Sequence, residues 1–168
     1  MILVTIFAAV VYGAIQHVFR MSANDPQIQL AQDTAQLISR GKDIKFGDDK
    51  VDIAKSLAPY IVVFDSSLKP TLSSGVLDGK MPVLPQGVFD YAGKNGENRF
   101  TWQPKSGVRS AVVLVSFSGK KQGFVMAGRS LREVEKREDD LLIEVGTGWV
   151  AALVFATLPF LIRNRKIS

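Results

Sequence analysis

The chain contains no cysteine and only one histidine, His17. Without cysteine, neither a disulfide framework nor a thiolate metal site can form. Because His17 lies in an apolar N-terminal run, no serine or threonine of the central part has a histidine partner, which excludes a Ser-His-Asp mechanism there. We interpret His17 as an interfacial or helix-contacting residue. These absences make a hydrolase or transferase the least favoured class, and we expect no enzyme activity, no cofactor and no metal site.

Positive charge is in excess, but it is not concentrated on the central part of the chain. The net charge is +5, whereas residues 20–144 hold 18 basic and 16 acidic side chains. The remaining three charges are Arg163, Arg165 and Lys166, close to the C-terminus. A protein that binds phosphate backbones carries its positive charge on the folded domain. We therefore expect no nucleic-acid partner.

Two apolar runs without charged residues, 2–19 and 145–162, lie near the two ends of the chain, and each is 18 residues long. At 1.5 Å per residue each run reaches about 27 Å, close to the roughly 30 Å hydrocarbon core of a bilayer. The sequence predicts two membrane-spanning helices. The first run has no basic n-region and is longer than a usual h-region. These two features indicate that residues 1–20 are a retained signal-anchor rather than a cleaved signal peptide. The missing n-region charge leaves an upstream start codon open.

The basic tail of residues 163–168 predicts the orientation, because cytoplasmic flanks carry an excess of lysine and arginine. Two spans then place both termini in the cytoplasm and the central domain outside it. Small residues at a spacing of four let helices approach closely in lipid. This spacing predicts either dimerisation or packing of the two spans within one chain, and the residues concerned are Ala9, Gly13, Gly148, Ala152 and Ala156.

The central domain, residues 21–130, is predicted to be an α+β unit that begins with helices. The helix-start signature Asn24-Asp25-Pro26 precedes a helical pattern that Gly41 ends. The apolar positions of that pattern are Ile28, Ala31, Ala35 and Ile38. A second, short helix is predicted over residues 52–58, before Pro59.

Strand and turn patterns follow the two helices. A β-rich run at 60–64 and a turn cluster at 65–70 predict a hairpin with a second strand at 71–76. A short helix at 88–92 is predicted to end at Gly93 and Gly96. Three further strands complete the predicted domain, at 99–103, 108–117 and 123–127.

From residue 131 the pattern becomes helical and charged. Apolar positions recur at 3-4-3-4 spacing with one acidic interruption, which is a heptad seam. The seam consists of Leu131, Val134, Glu138, Leu141 and Val145. Because no proline or glycine intervenes before Gly146, a juxtamembrane helix over 131–144 is predicted to continue into the second span. Such a helix is stiff enough to transmit a displacement across a membrane.

Four residues of the central domain form a candidate ligand cluster: Tyr91, Arg99, Trp102 and Arg109. Together they offer charged and aromatic contacts for a small anion or carboxylate. The alternative is that each of them is an ordinary surface residue. The stretch GVLDGKM at residues 75–81 is not a phosphate loop, because it has three residues between the glycines and methionine where serine or threonine is needed.

Three stretches of the domain resemble the PAS-like extracytoplasmic sensor domains of the Cache or PDC type, which occur in bacterial sensor histidine kinases and chemoreceptors. IVVFD at 61–65 and TLSSG at 71–75 resemble their first hairpin, and GFVMAGRSL at 123–131 resembles the last strand and its exit helix. The resemblance implies a five-stranded antiparallel sheet, a long N-terminal helix and a pocket on one sheet face. It also implies a bacterial inner membrane.

The departure from this family concerns the output module. Such receptors continue after the second span into a HAMP, kinase or methyl-accepting module, whereas here six residues follow Ile162. We therefore expect a sensor-like protein that binds a small ligand or partner and acts through its spans on another membrane protein, or as a homodimer. The alternative is a structural or accessory subunit of a membrane complex, without a small-molecule ligand.

Overall fold

The computed structural model describes residues 2–22 and 25–165, and these form two compact units. Of these residues, 25–133 form one unit, and 2–22 together with 134–165 form the other. The helices of the described part are α1 (Ile2–Ser22), α2 (Asp25–Ser39), α3 (Gln86–Asn95) and α4 (Arg132–Arg165). The strands are β1 (Val51–Asp52), β2 (Tyr60–Asp65), β3 (Pro70–Ser73), β4 (Gly75–Val76), β5 (Glu97–Lys105), β6 (Val108–Phe117) and β7 (Gly123–Ser130).

Five strands form an antiparallel sheet in the order β3-β2-β7-β6-β5. The predicted α+β class with a five-stranded antiparallel sheet is therefore confirmed. In β6 the consecutive residues Val112, Val113 and Leu114 are fully buried. Consecutive burial requires cover on both sides of the sheet, because neighbouring side chains of a strand point to opposite faces.

We call the two sides of this sheet the α2 face and the α3 face. On the α2 face the helix contributes Ala31, Ala35 and Ile38, which pack on sheet residues Ile61, Val63, Val113, Val125 and Ala127. On the α3 face the buried sheet residues are Tyr60, Val62, Phe64, Trp102, Val108, Val112, Leu114 and Met126. Ile53, Leu84, Phe89 and Ala92 pack against them from outside the sheet. The two faces are separate hydrophobic cores with very different side chains.

The predicted N-terminal helix is confirmed as α2, with three of its four apolar positions buried and Ile28 partly buried. Its cap residue Asn24 lies outside the described residues. At its end the Lys42 amide donates to the Leu37 carbonyl and the Gly41 amide to the Ile38 carbonyl, at 3.0 and 2.8 Å. Gly41 has a φ of +80°, and this pattern is a Schellman cap, in which glycine avoids a steric penalty.

The prediction of a short helix over residues 52–58 is wrong. Its first residue belongs to β1, which pairs in parallel with β4. Only one turn follows, because the Asp52 carbonyl accepts from the Lys55 and Ser56 amides while its carboxylate accepts from the Ala54 amide. An aspartate side chain that bonds the backbone two residues later favours such a turn over a helix.

The other predicted elements are present with different ends. The hairpin of β2 and β3 is confirmed, but the strand predicted at 71–76 is interrupted at Ser74, after which β4 pairs with β1. Helix α3 extends on both sides of the predicted segment, so Gly93 lies inside it and Gly96, with a φ of +86°, follows it. The rejected phosphate loop contains a tight turn at Asp78 and Gly79, both with positive φ, between Leu77 and Lys80.

Helix α4 runs without interruption from Arg132 to Arg165, so the predicted continuous exit helix is confirmed. Within the described residues, one helix is long and apolar enough to cross a membrane, over Arg132–Leu158. The corresponding apolar part of α1, Ile2–Val18, is shorter than the 18 residues that a membrane-spanning helix needs. Length and composition therefore support one span rather than the two that were expected. The tail residues 166–168 lie outside the described part of the chain.

Candidate functional site

The four residues of the predicted ligand cluster lie on different sides of the sheet. Trp102 is 7% exposed and belongs to the core of the α3 face. Arg99 is paired with Val113, a core residue of the α2 face, so its side chain is on the opposite side from Trp102. Arg109 is four residues before Val113 on the same strand and shares its face. Tyr91 is on α3 and is 55% exposed.

The environment of Arg99 also differs from that of a ligand site. Its Nε donates to Glu97 Oε1 at 2.7 Å, and the guanidinium and carboxylate form an exposed ion pair. Glu97 also accepts from the Gln32 amide at 3.2 Å. The structure thus brings Arg99 together with Glu97 and Gln32, and does not bring the four predicted residues together. Ligand binding by any of them stays a prediction.

A cavity of about 350 Å³ lies on the α2 face, beyond the C-terminal end of α2. Its size is within the range of small-molecule sites, about 300–1,000 Å³. Its walls come from four segments that are distant in the sequence: the end of α2 with the following loop, strand β2, strand β3, and the hairpin between β6 and β7. We call it the α2-end cavity.

The floor and walls of the α2-end cavity are apolar. Ile38 and Val63 are buried, and three further apolar side chains are only partly buried. These three are Ile44, Leu72 and Phe117. When a ligand covers accessible apolar surface in a cavity, the removal of that surface from water favours binding by about 25 cal/mol per Å².

Charged groups line the rim of the same cavity. Lys121 Nζ lies 3.3 Å from Asp43 Oδ1, in an exposed pair. Asp65 is held by its own turn, since Oδ1 accepts from the Ser67 amide, the Ser67 hydroxyl and the Lys69 amide at 2.9 to 3.0 Å. Lys42 also lines the cavity. Among the described residues Lys42 has no ion-pair partner.

These hydrogen bonds keep Asp65 ionised. The Lys69 backbone amide is the largest cause that lowers the pKa of this carboxyl, followed by the Ser67 hydroxyl. A carboxylate that accepts several hydrogen bonds is favoured over its protonated form. Asp65 is therefore a fixed anion whose oxygen is occupied by local donors.

A second depression, of about 300 Å³, has a different lining. It contains no charged side chain and is lined by hydroxyl, amide, glycine and phenylalanine residues. They are Ser66, Gly93, Ser116, Phe117, Ser118, Gln122, Gly123 and Phe124. It therefore offers neutral hydrogen-bonding groups, whereas the α2-end cavity combines apolar walls with charged groups.

Buried polar atoms of the α3 face form a local exception to its apolar packing. The Tyr60 hydroxyl and the Ser110 hydroxyl are both buried and lack a hydrogen bond of normal geometry. Burial raises the pKa of Tyr60 strongly, and the nearby Ser110 hydroxyl opposes this only in part. The Tyr60 ring also lies against Gly128, where an added Cβ would be 2.4 Å from the ring. The sequence patterns did not indicate this pair, because it depends on the register of β2, β6 and β7.

The predicted small-residue packing positions are in the other unit, on α1 and α4. A Cβ added at Gly13 or Gly148 would meet no atom within 4 Å. Trp149 Nε1 instead donates to Thr5 Oγ1 at 3.0 Å, a contact between the two helices. Of the alanines, Ala9 and Ala156 are exposed and Ala152 is partly buried. Neither glycine therefore sits at a close approach between helices within the described part of the chain.

Comparisons with known proteins do not assign this site. No family model matches the chain, and no curated protein or solved structure shows significant similarity to it. Within residues 2–22 and 25–165, no group of three or more histidine, cysteine, aspartate or glutamate side chains is arranged to hold a metal ion.

Proposed function

We propose that this chain is a membrane-anchored, extracytoplasmic sensor-like protein that binds a small ligand or a partner and acts through its helices on another membrane protein. One observation carries the proposal: only Leu131 separates β7 from α4, which contains a segment long and apolar enough to span a bilayer. A continuous helix transmits displacement, whereas a flexible linker absorbs it.

The position of β7 supports transmission from the domain. This strand lies between β2 and β6, so a shift of either neighbour reaches it through the hydrogen bonds of the sheet. The start of α4 is also fixed to the domain, because the Arg132 guanidinium donates to the Lys55 carbonyl and the Leu131 amide donates to the Arg109 carbonyl.

The element order also supports the proposal. A long helix is followed by two strands of the sheet, a helix and three further strands, as the resemblance to PAS-like sensor domains implies. The α2-end cavity provides a site of suitable size on one sheet face. In this proposal both α1 and α4 span a bacterial inner membrane, with the domain outside the cytoplasm and both termini inside.

Single-cysteine labelling tests the arrangement directly, because the chain contains no native cysteine. Ser106→Cys is in the exposed turn between β5 and β6, and Ser168→Cys is in the basic tail. In intact bacterial cells, a membrane-impermeant maleimide is expected to label Ser106→Cys but not Ser168→Cys, and to label both after permeabilisation. Labelling of Ser168→Cys in intact cells, or protection of Ser106→Cys, contradicts the topology.

A photo-reactive residue in α4 tests the action on another membrane protein. Phe155 is 74% exposed and offers a suitable position. Leu153 serves as the control, because it is partly buried and lies one helical turn after Trp149, whose indole contacts α1. The proposal expects protein adducts from Phe155 in native membranes and none from Leu153. Adducts with lipid alone at both positions contradict it.

A structural subunit without a small-molecule ligand is the second candidate. The exposed apolar side chains of α4 favour it, since they include Val150, Val154 and Phe155 at 50% exposure or more. Such a surface fits either lipid or a neighbouring helix. The two candidates differ in one measurable property: only the sensor-like protein changes its α4 crosslinking pattern when a ligand occupies the domain.

A further inference from the structure

We propose that the α2-end cavity binds a small amphipathic anion, namely a carboxylate that carries a short apolar group. This inference rests on the proposed function and deepens it, since it names the class of ligand that the domain recognises. Three properties of the cavity lead to it: the distribution of charge, the state of its acidic groups and the chemistry of its walls.

Most of the net positive charge of the domain lies in segments that border this cavity. Residues 23–133 hold 15 basic and 11 acidic side chains, a net charge of +4. The bordering segments 40–45 and 118–122 together with Asp65 hold five basic side chains and two acidic ones, a net charge of +3. In the lining itself Lys42 and Lys121 stand against Asp43 and Asp65, so the excess comes from the neighbouring basic residues. An excess of one sign of charge around a cleft raises the local concentration of ligands of the opposite sign.

The two carboxylates of the rim, Asp43 and Asp65, keep their negative charge and oppose this preference in part. Donors of its own turn already occupy Asp65 Oδ1, and Lys121 lies against Asp43. Lys42 is left as a cation without an ionic partner in the described residues. A ligand carboxylate placed between Lys42 and Lys121 gains charge-assisted hydrogen bonds, because the exposed Lys121–Asp43 pair is weak and gives way at little cost.

The walls require an apolar group on the same ligand. Ile44, Leu72 and Phe117 are partly buried around the cavity and have no polar atoms on their side chains. A hydrophilic anion such as phosphate leaves this apolar surface exposed to water, whereas the apolar group of a short alkyl or aryl carboxylate covers it. The cavity therefore distinguishes an amphipathic anion from a purely polar one.

The walls are also held in place before a ligand binds. The Lys120 amide donates to the Ser39 carbonyl at 3.2 Å, which connects the β6–β7 hairpin to the end of α2. Gly119 allows this approach, because an added Cβ would be 2.5 Å from the Ser39 carbonyl oxygen. A site that is already formed loses less conformational entropy on binding.

The test uses the full chain in nanodiscs of zwitterionic lipid, titrated with hexanoate by calorimetry against empty nanodiscs. We expect saturable binding of hexanoate and much weaker binding of hexanol and inorganic phosphate. The double variant Lys42→Gln/Lys121→Gln is expected to weaken hexanoate binding about tenfold or more, as the loss of a charge-assisted hydrogen bond predicts. The matched control Lys80→Gln/Lys94→Gln removes two exposed lysines that do not line the cavity and is expected to bind as the parent does.

Each other result overturns the inference in a defined way. If hexanol binds as tightly as hexanoate, the site does not require a negative charge on the ligand. If phosphate binds as tightly as hexanoate, the site does not require an apolar group. Unchanged binding in the cavity variant places the site elsewhere. If only nanodiscs with anionic lipid stabilise the protein, and only when Lys42 and Lys121 are intact, the surface binds lipid headgroups instead. Maleimide labelling and the formation of protein adducts by Phe155 do not depend on hexanoate, so the proposed function can stand when this inference fails.

Discussion

The α3 face and the α2 face of the same sheet are covered by side chains of different size. On the α3 face large side chains interlock, and Phe89 makes edge-to-face contacts with Phe64 and Phe124 at centroid distances of 5.0 and 5.2 Å. On the α2 face the helix presents the small residues Ala31 and Ala35, which let it lie close to the sheet. Large side chains fill most of the first face and leave a polar depression at Gly93 and Phe124, whereas the second face has an apolar cavity with charged groups on its rim where the helix ends. An apolar site with charged groups therefore arises beside the helix with the small residues.

The largest expected difference between the two faces is the cost of removing a side chain. Phe64→Ala, on the α3 face, is expected to lower the free energy of unfolding by about 3–5 kcal/mol, since it leaves a cavity in a closed core. Ile44→Ala, beside the α2-end cavity, is expected to cost less than about 1 kcal/mol because Ile44 is already partly accessible. Denaturant unfolding of the two variants measures both values. Equal losses would show that the α2 face is as tightly filled as the α3 face.

The cap that ends α2 gives the next largest effect. Gly41→Ala is expected to destabilise the domain by about 1–2 kcal/mol, because alanine is strained at a φ of +80°. The control is Gly47→Ala in the same loop, where φ is not in the left-handed region and an added Cβ meets no atom within 4 Å. That control is expected to be neutral or slightly stabilising. Thermal unfolding distinguishes the two, and an equal effect of both variants contradicts a role for the cap.

Tyr60 makes the closed face sensitive to alkali. Its folded-state pKa is raised, so the stability it contributes is fully present below its ordinary pKa of about 10 and is lost as the pH rises above that value. Tyr60→Phe is expected to reduce this alkaline loss. At neutral pH it is expected to change stability by less than about 1 kcal/mol, because it also removes a buried hydroxyl without a hydrogen bond.

Melting temperatures of both proteins between neutral pH and pH 11 provide the measurement. Tyr12 and Tyr91 are present in both proteins, so their contribution cancels in the comparison. Parallel alkaline curves for the parent and Tyr60→Phe would mean that Tyr60 ionises normally in the folded protein.

The smallest effect is expected at Asp65, on the rim of the open face. Its folded-state pKa is lowered, so the stability it contributes is present above its ordinary pKa and is lost as the pH falls through the folded value. Because the group is exposed, solvent screens the effect, and Asp65→Asn is expected to lower the melting temperature slightly at neutral pH and not at all in strong acid. Ser67→Ala is expected to give part of this change and Ser66→Ala none, since of these two serines Ser67 is the one that donates to the Asp65 carboxylate. A difference that persists unchanged in acid contradicts the assignment.

Sequence patterns predicted most of the fold because they are local. The spacing of Ala31, Ala35 and Ile38 identified the buried side of α2, and the position of β6 was predicted to the residue. The failure at 52–58 has a specific cause: β1 pairs with β4, more than twenty residues later, and local helix propensity contains no information about that partner. The expectation of two spans is supported for α4 alone, because the apolar part of α1 is shorter.

The candidate site was harder to predict than the fold. Arg99 and Trp102 are three residues apart on one strand, so the alternation of side chains already separates their faces. The prediction of a four-residue cluster did not take this alternation into account. No comparable signal existed for the α2-end cavity, because residues as distant as Lys42, Leu72 and Lys121 meet there only when the sheet and α2 have packed.

By itself the sequence determined the α+β class, the five strands of the antiparallel sheet, the helix α2 and the uninterrupted apolar exit helix. These features follow from local periodicity and from the length of apolar runs, which each segment carries independently of its neighbours. Only the tertiary structure decided where space remains beside the sheet and which side chains line it. That outcome depends on the volumes of side chains brought together from distant segments, and on the glycine cap that directs Lys42 and its neighbours to the rim of the cavity.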